Sequence, residues 1–247
     1  MPEDPTTVLV GRIVLKPSAI VRVLGAMAIL LILASIAGQL MKYFAGHPNV
    51  RGLVPLFYIE AEGNIPTFFS GLLLMSAALL LAVVTTLGKR HGDPDVSRWM
   101  ILAFGFLYMA GDELLSFHER LIMPVRHLVP SASQGIFHFS WVIPAIAVVA
   151  LLALFFLRFV LRLPARTRYM FLIAAALYVG GAIGGELIEG RYAASHPDGE
   201  DFTFSMMATA EESLEMAGVI VFIYALLKYI GARYKEVQFR IDDSGSM

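Results

Sequence analysis

The chain has no cysteine among its 247 residues. Disulfides, thiolate metal sites, iron–sulfur clusters and cysteine nucleophiles are therefore excluded. Charged residues are also few, at 16%, against about 25% in soluble domains. The formal net charge is −1, so the chain lacks the basic field that nucleic-acid binding requires, and we expect no nucleic-acid partner.

Apolar residues are abundant, at 57% of the chain, and the mean hydropathy is +0.71. A membrane-spanning helix needs about 20 mostly apolar residues. Six stretches meet or approach that length, at 23–41, 65–87, 99–121, 135–157, 169–189 and 206–227. The sequence therefore predicts one all-α domain over residues 1–247, a polytopic bundle of six transmembrane helices. The lipid bilayer is the partner that this composition predicts.

Two of these spans carry further signals near their ends. Asn64 can cap the second span, and Pro66 falls in its first turn, where no intrahelical donor is lost. In the first span, ASIAG at 34–38 is similar to a signal-peptidase site. The lead-in over residues 1–22 is long for a signal peptide, so we expect an uncleaved helix.

Basic residues predict the orientation, because Lys and Arg concentrate on the cytoplasmic side. Five of the 19 fall on one side of the predicted bundle, namely Lys42, Arg51, Arg120, Arg126 and Arg191. The other side receives the remaining fourteen, from Arg12 to Arg240. Both termini are therefore predicted to be cytoplasmic.

With this orientation, acids and histidines from five spans converge on the non-cytoplasmic end. The candidate site residues are Asp112, Glu113, His118, Glu119, His138, Glu186, Glu189, Glu211, Glu212 and Glu215, with Glu62, Arg120 and Arg191 in support. Asp112 lies about 20 Å along the helix from Trp99, at a rise of about 1.5 Å per residue. Glu215 reaches a similar depth, where a carboxylate should face the bundle interior and have a partner. We therefore expect Asp112 to face Glu186 and Glu215 across the bundle.

Helical spacing predicts which acids share a face. Asp112 and Glu119 are seven positions apart, and Glu211 and Glu215 are four apart. Neighbouring carboxylates repel one another unless protons, arginines or metal ions intervene. We therefore predict a divalent metal ion bound by the candidate acids and histidines, with iron, zinc, copper and calcium all open.

The sequence does not favour a di-iron centre or a haem, and a structural role for the acids stays open. The Glu-x-x-His signature of di-iron bundles is absent, since His118 follows Glu113 by five positions. His118 and His138 do not predict a haem, because lone histidines near membrane interfaces usually form hydrogen bonds. The acids could instead be structural, capping helices and pairing with Arg120, Arg126 and Arg191.

The glycines of GGAIGG at 180–185 predict close helix packing. They form two Gly-x-x-x-Gly pairs, Gly180 with Gly184 and Gly181 with Gly185. The packing could lie within the bundle. The Gly180/Gly184 face could also join a homo-oligomer or a larger membrane complex.

Three segments together resemble a known family. They are EAEGNIPTFFSGLLL at 60–74, GDELLSFHERL at 111–121 and EESLEMAGVIVFIYALL at 211–227. Their GDE-xxxx-HE and EE-x-LEM patterns resemble an uncharacterised family of bacterial six-span inner-membrane proteins with no assigned activity. The resemblance implies a multi-pass protein of the bacterial inner membrane, and it supplies no mechanism.

Three function classes follow from these residues. The first is a membrane protein that binds a metal ion at its periplasmic face. With a suitable metal it could be a metalloenzyme that acts on a lipid-like or small substrate. The second is a small proton- or cation-coupled transporter. The third is a non-catalytic subunit of a membrane complex. Whether the protein is an enzyme, and on what substrate, stays open at this point.

Overall fold

The computed structural model describes residues 16–128, 135–197 and 201–234. Within these ranges the chain forms helices and no strand, which confirms the predicted all-α fold class. The helices are α1 (Pro17–Tyr43), α2 (Leu53–Phe57), α3 (Ile65–Arg90), α4 (Val96–Leu115), α5 (Ile122–Leu128), α6 (Val142–Arg162), α7 (Ala165–Val179), α8 (Glu186–Ser195) and α9 (Phe202–Tyr234).

Several of these helices are compatible with a multi-pass membrane protein. In the described ranges five helical stretches are long and apolar enough to cross a membrane: α1, α3, α6, the continuous run Ala165–Ser195, and α9. A sixth arises if α4 and Glu119–Leu128 form one span bent by 79°. The two chain ends, with Arg12, Lys235 and Arg240, lie outside the described residues.

The ends of the first two long helices follow the sequence signals. The Asn64 side chain accepts a 3.1 Å hydrogen bond from the backbone N–H of Thr67, so Asn64 caps α3 as predicted. Pro66 lies in the first turn of α3. Helix α1 runs without a break through residues 34–38, where the peptidase-like sequence lies.

Helix α4 ends at Leu115, earlier than the predicted span end at 121. Ser116 adopts a left-handed backbone conformation (φ 48°, ψ 47°), and its N–H bonds to the carbonyl oxygen of Asp112 at 2.7 Å. Glu119 therefore begins a separate 3₁₀ turn. The expectation that Asp112 and Glu119 share one helical face is wrong, because no continuous helix joins them.

The fourth helix also differs from its predicted span. Helix α6 begins at Val142 and ends at Arg162, whereas the apolar stretch was placed at 135–157. A 3₁₀ turn, Gly135–Phe137, occupies the start of that stretch. His138 consequently lies in a connection before α6 and not in its first turn.

A π-helical segment, Gly180–Gly185, joins α7 to α8 and packs against α9. A Cβ atom on Gly218 of α9 would lie 2.7 Å from the backbone nitrogen of Tyr178. Only a residue without a Cβ permits this approach of α9 to α7. The close packing fixes how the first half of α9 faces Tyr178 and the glycine-rich segment.

The opposite end of the bundle is held by ion pairs and aromatic packing. Arg98 pairs with the buried Asp95 at 2.6 Å, and Arg162 of α6 pairs with the same carboxylate. Trp99, which is 1% exposed, packs edge-on against Phe159 with ring centres 4.8 Å apart. Arg98 and Arg162 thus both form ion pairs with Asp95, just before the start of α4.

Candidate functional site

A cluster of carboxyl groups lies at the end of the bundle formed by the start of α3, the end of α4, α8 and the first half of α9. These carboxyl groups are close enough to interact electrostatically with one another: Glu62, Glu113, Glu186, Glu189, Glu211, Glu212 and Glu215. We call them the carboxylate cluster. No ion pair among the described residues joins a lysine or arginine to it.

Two members of the cluster touch directly. The carboxyl groups of Glu189 on α8 and Glu211 on α9 lie within hydrogen-bonding distance of each other. Glu189 is 6% exposed, and its Oε1 has no hydrogen-bond partner in the described residues. We call Glu189 and Glu211 the carboxyl pair.

Glycines make this contact possible. A Cβ atom on Gly185 would lie 2.6 Å from Glu211 Oε2 and 2.8 Å from Glu211 Cβ. One on Gly181 would lie 2.9 Å from the Glu211 carbonyl oxygen and 3.0 Å from Glu215 Cγ. The Gly181/Gly185 pair therefore packs inside the bundle. This is one of the two uses that the sequence predicted for the glycine pairs.

The other glycine pair meets nothing in the described chain. Apart from adjacent residues and the backbone of the same helix, no atom of the described residues lies within 4 Å of a Cβ placed on Gly180 or Gly184. The Gly180/Gly184 face is thus open, and its use for a homo-oligomer or a larger complex stays a prediction.

A small cavity lies beneath the carboxyl pair, between α3, α4, α7 and α9. Its polar lining consists of Ser70, Glu113, Tyr178 and Glu215. The centre of a water molecule can move through about 10 Å³ of it, which is room for about one water. The space is partly open to the outside, and we call it the Glu215 cavity.

Asp112, expected to face Glu186 and Glu215, instead holds the turn after α4. Its Oδ1 accepts the His118 backbone N–H at 2.9 Å, and its Oδ2 lies 2.9 Å from His118 Nδ1. The His118 ring packs on Trp141 at 4.8 Å between centres, and Trp141 Nε1 donates to Glu186 Oε1 at 3.1 Å. Asp112, His118, Trp141 and Glu186 therefore form one chain of contacts across the bundle.

The supporting residues lie at the edge of the cluster. Partial desolvation raises the pKa of the exposed Glu62, an effect that the neighbouring Ser116 hydroxyl opposes. Glu119 and Arg120 are exposed, and the Arg120 guanidinium lies 5.4 Å from the centre of the Phe117 ring. Arg191 is also exposed. Among the described residues, Arg120, Arg126 and Arg191 thus form no ion pair with the buried acids.

His138 lies against Arg126 and Gly190. Arg126 Nη2 donates to the His138 carbonyl oxygen at 2.6 Å, and a Cβ on Gly190 would lie 3.3 Å from His138 Cβ. Burial lowers the pKa of His138, and the Arg126 charge lowers it further. The structure thus places His138 beside a cation.

The donors of the cluster are not arranged around one metal ion. In the part of the chain that the structure describes, no three His, Asp or Glu side chains are placed to hold one. Glu186 Oε2 and Glu189 Oε1 are nonetheless buried without a hydrogen-bond partner there. The acids that the sequence nominated are close together, and among the described residues the one direct contact between two of them joins Glu189 to Glu211.

The sequence did not predict a network of polar side chains around Tyr58 and Gln39, because the candidate site was built from acids, histidines and arginines. Tyr58 hydroxyl lies 2.5 Å from both Ser205 Oγ and Glu60 Oε2. Gln39, fully buried in α1, donates to Thr209 Oγ1 at 2.7 Å. The signal for it was an amide inside an apolar span, which needs partners when it is buried.

Comparison with known proteins places most of the chain in one family. The sequence pattern of a domain of unknown function (DUF8692) matches residues 23–230. The chain belongs to this family. No curated protein and no solved structure matches the chain significantly. The matched range of DUF8692 includes the whole carboxylate cluster, and the link to bacterial six-span proteins stays a prediction.

Proposed function

We propose that the protein is a multi-pass protein of the bacterial inner membrane, with both termini cytoplasmic, that binds and releases a proton at its carboxylate cluster. The charge bias supports this orientation, because Arg98, Arg162 and Arg233 lie at the end opposite the cluster. The cluster then faces the periplasm. Proton binding there serves coupled transport.

The observation that carries this proposal is the contact between Glu189 and Glu211. Two carboxylates at hydrogen-bonding distance cannot both be ionised in a buried site without a cation between them. Within the described residues no lysine or arginine is paired with them. A shared proton is the simplest cation that satisfies the pair, and the pair then titrates as one unit.

The surroundings of the carboxyl pair support exchange of this proton. Glu60, at the end of the Tyr58 network, interacts electrostatically with Glu189. The π-helical segment lies directly before α8, which carries Glu186 and Glu189. Such segments occur frequently at functional sites. A shift of α8 relative to α9 would change the contact that holds the proton.

Infrared difference spectroscopy of the full-length protein in lipid nanodiscs tests the proposal. We expect a carbonyl-stretch band from a protonated carboxyl group at neutral pH that disappears on alkalinisation. Glu189→Gln and Glu211→Gln should each remove this band, and Glu119→Gln, an exposed control, should leave it. The proposal fails if the band is absent or survives in both pair variants.

A second candidate is a divalent metal ion at the same carboxyl groups, as the sequence predicts. Its support is the pair of buried oxygens without partners, Glu186 Oε2 and Glu189 Oε1, beside Glu211. Iron, zinc, copper or calcium there could supply the chemistry of a membrane metalloenzyme. Elemental analysis of the detergent-purified protein distinguishes the two candidates. Stoichiometric metal in the wild type that is absent from Glu211→Gln would show that a metal ion, and not a shared proton, neutralises the carboxyl pair.

A further inference from the structure

We propose that Glu60 passes the shared proton between the carboxyl pair and the periplasmic solution. This inference rests on the proposed function and deepens it, because it names the residue through which the same site exchanges its proton. Glu60 is half-buried in the connection between α2 and α3, whereas Glu189 is 6% exposed. Outside the pair, Glu60 is the carboxyl group that acts electrostatically on Glu189. Glu60 is therefore both accessible from the solution and coupled to the pair.

The backbone around Glu60 is fixed by two buried polar side chains. Asn64 Nδ2 donates to the carbonyl oxygen of Tyr58 at 2.5 Å, and the backbone N–H of Ile59 donates to Ser35 Oγ at 3.0 Å. Asn64 is 7% exposed and Ser35 is fully buried in α1. These bonds hold Glu60 in one place, which a proton relay requires because proton transfer depends on short and reproducible distances.

Lys42 fixes the direction of the hydrogen bonds that reach Glu60. Its Nζ lies 3.2 Å from the Tyr58 hydroxyl, and an ammonium group can only donate. The Tyr58 oxygen accepts this bond, and its own hydrogen goes to Glu60 Oε2 at 2.5 Å. Ser205 Oγ, 2.5 Å from the same oxygen, must then donate to it. Every hydrogen bond along this route points toward Glu60, which stabilises its carboxylate form.

An ionised Glu60 is the form that can accept a proton from the carboxyl pair. When the pair gives up its proton, one O–H bond breaks there and one forms on Glu60. The pair thereby gains a negative charge and Glu60 becomes neutral. The added charge on the pair makes Glu60 easier to protonate, because a nearby like charge favours the neutral acid. Loss of the proton to water restores the carboxylate of Glu60, and the reverse sequence loads the pair.

The same hydrogen bonds connect Glu60 to the helix that carries one member of the pair. Ser205 is fully buried and precedes Glu211 by six positions on α9. The Tyr58–Ser205 bond therefore joins the connection that carries Glu60 to α9. Tyr43 of α1 adds a second contact, with its hydroxyl 2.9 Å from Ser205 Oγ. Glu60 and Glu211 are thus held within one packed unit.

Hydrogen–deuterium exchange of the protonated carboxyl group tests the relay. Full-length protein in lipid nanodiscs is transferred into deuterated buffer, at a pH at which the carbonyl band of the pair is fully developed. The band shifts as deuterium replaces the shared proton, and the rate of this shift is the exchange rate. Since a positioned acid–base group contributes about 10²–10⁴-fold, we expect Glu60→Gln to keep the band and to slow its shift at least about tenfold.

Matched variants separate a relay from a structural role. Glu62→Gln, at an exposed position of the same connection, should exchange as the wild type does. Tyr58→Phe loses the hydrogen bond to Glu60 and should slow exchange, whereas Tyr43→Phe leaves that bond in place and should not. Acetate in the buffer should restore rapid exchange to Glu60→Ala, because a small carboxylic acid can take the place of the missing side chain. A structural role would not respond to acetate.

The outcomes distinguish failure of the relay from failure of the proposed function. Absence of the band from the wild type would refute both. If the band is present and Glu60→Gln exchanges as fast as the wild type, the pair binds a proton that Glu60 does not carry. Equal slowing in Glu60→Gln and Glu62→Gln, or no effect of acetate on Glu60→Ala, would also overturn the relay.

Discussion

Gly185 lies so close to Glu211 that a Cβ atom at position 185 would be 2.6 Å from Oε2 and 2.8 Å from Cβ of Glu211. The second distance matters more, because Cβ cannot move away without the backbone of α9. The absence of a side chain at position 185 therefore lets α8 present Glu189 to Glu211. Helix packing and the acidic site depend on the same residue.

We expect Gly185→Ala to separate α8 from α9 and to lower the free energy of unfolding by about 1–3 kcal/mol, the usual cost of overpacking. The carboxyl contact should loosen with it, so the infrared band of the shared proton should weaken. Gly184→Ala is the control, because a Cβ there meets nothing within 4 Å. Equal thermal unfolding of the two variants would contradict the packing argument.

The carboxyl pair also predicts how stability depends on pH. If Glu189 and Glu211 share a proton in the folded state, that proton is bound more tightly than in the unfolded chain. Stability is then present at low pH and is lost as the pH rises and the proton leaves. In Glu211→Gln, the uncharged amide can still form a hydrogen bond with Glu189. The Tm of this variant should therefore fall less above neutral pH than the Tm of the wild type. A wild-type curve parallel to that of Glu211→Gln would refute this.

Hydropathy and charge were enough to predict the helical bundle and the end at which the acids meet. They could not predict where α4 stops. That end depends on Asp112, whose side chain bonds the His118 backbone N–H beyond the last turn, and on the left-handed Ser116. No periodicity in the sequence encodes this local competition between side chain and backbone. Glu119 consequently lies off the helical face to which spacing had assigned it together with Asp112.

The sequence predicted which types of residue form the site, but not which of them lie next to each other. Depth singled out Glu215, which lines the Glu215 cavity, but the acid beside it there is Glu113 and not Asp112. Ser70 and Tyr178 were missed, because one hydroxyl in an apolar helix has no spacing to distinguish it. The choice between Gly180/Gly184 and Gly181/Gly185 was also open, since overlapping glycine pairs differ only in which face meets α9.

At the opposite end, Asp95→Asn should lower the free energy of unfolding by about 1.5–3 kcal/mol, the range for hydrogen bonds to charged groups. Asp95 receives both Arg98 and Arg162 and its side chain is 13% exposed. Arg233→Gln is the matched comparison: its Nη2 lies 3.8 Å from Asp93 Oδ2 and its side chain is 52% exposed. That change should cost at most about 1 kcal/mol. Denaturant unfolding in mixed micelles measures both, and a larger loss in Arg233→Gln would invert the ranking.

His138 predicts a second pH dependence with the opposite sign. Burial and the neighbouring Arg126 lower its pKa below the ordinary value of 6.5. The unfolded chain therefore binds a proton at a higher pH than the folded chain does, so stability falls as the pH drops below 6.5. His138→Gln cannot titrate there, and it keeps the backbone carbonyl that accepts from Arg126. We expect its Tm to fall less than that of wild type between about pH 7 and about pH 5. His127→Gln, at an exposed position beside Arg126 in sequence, should follow wild type. If both variants follow wild type, protonation of His138 does not limit stability, and its burial against Gly190 is relieved before the rest of the bundle unfolds.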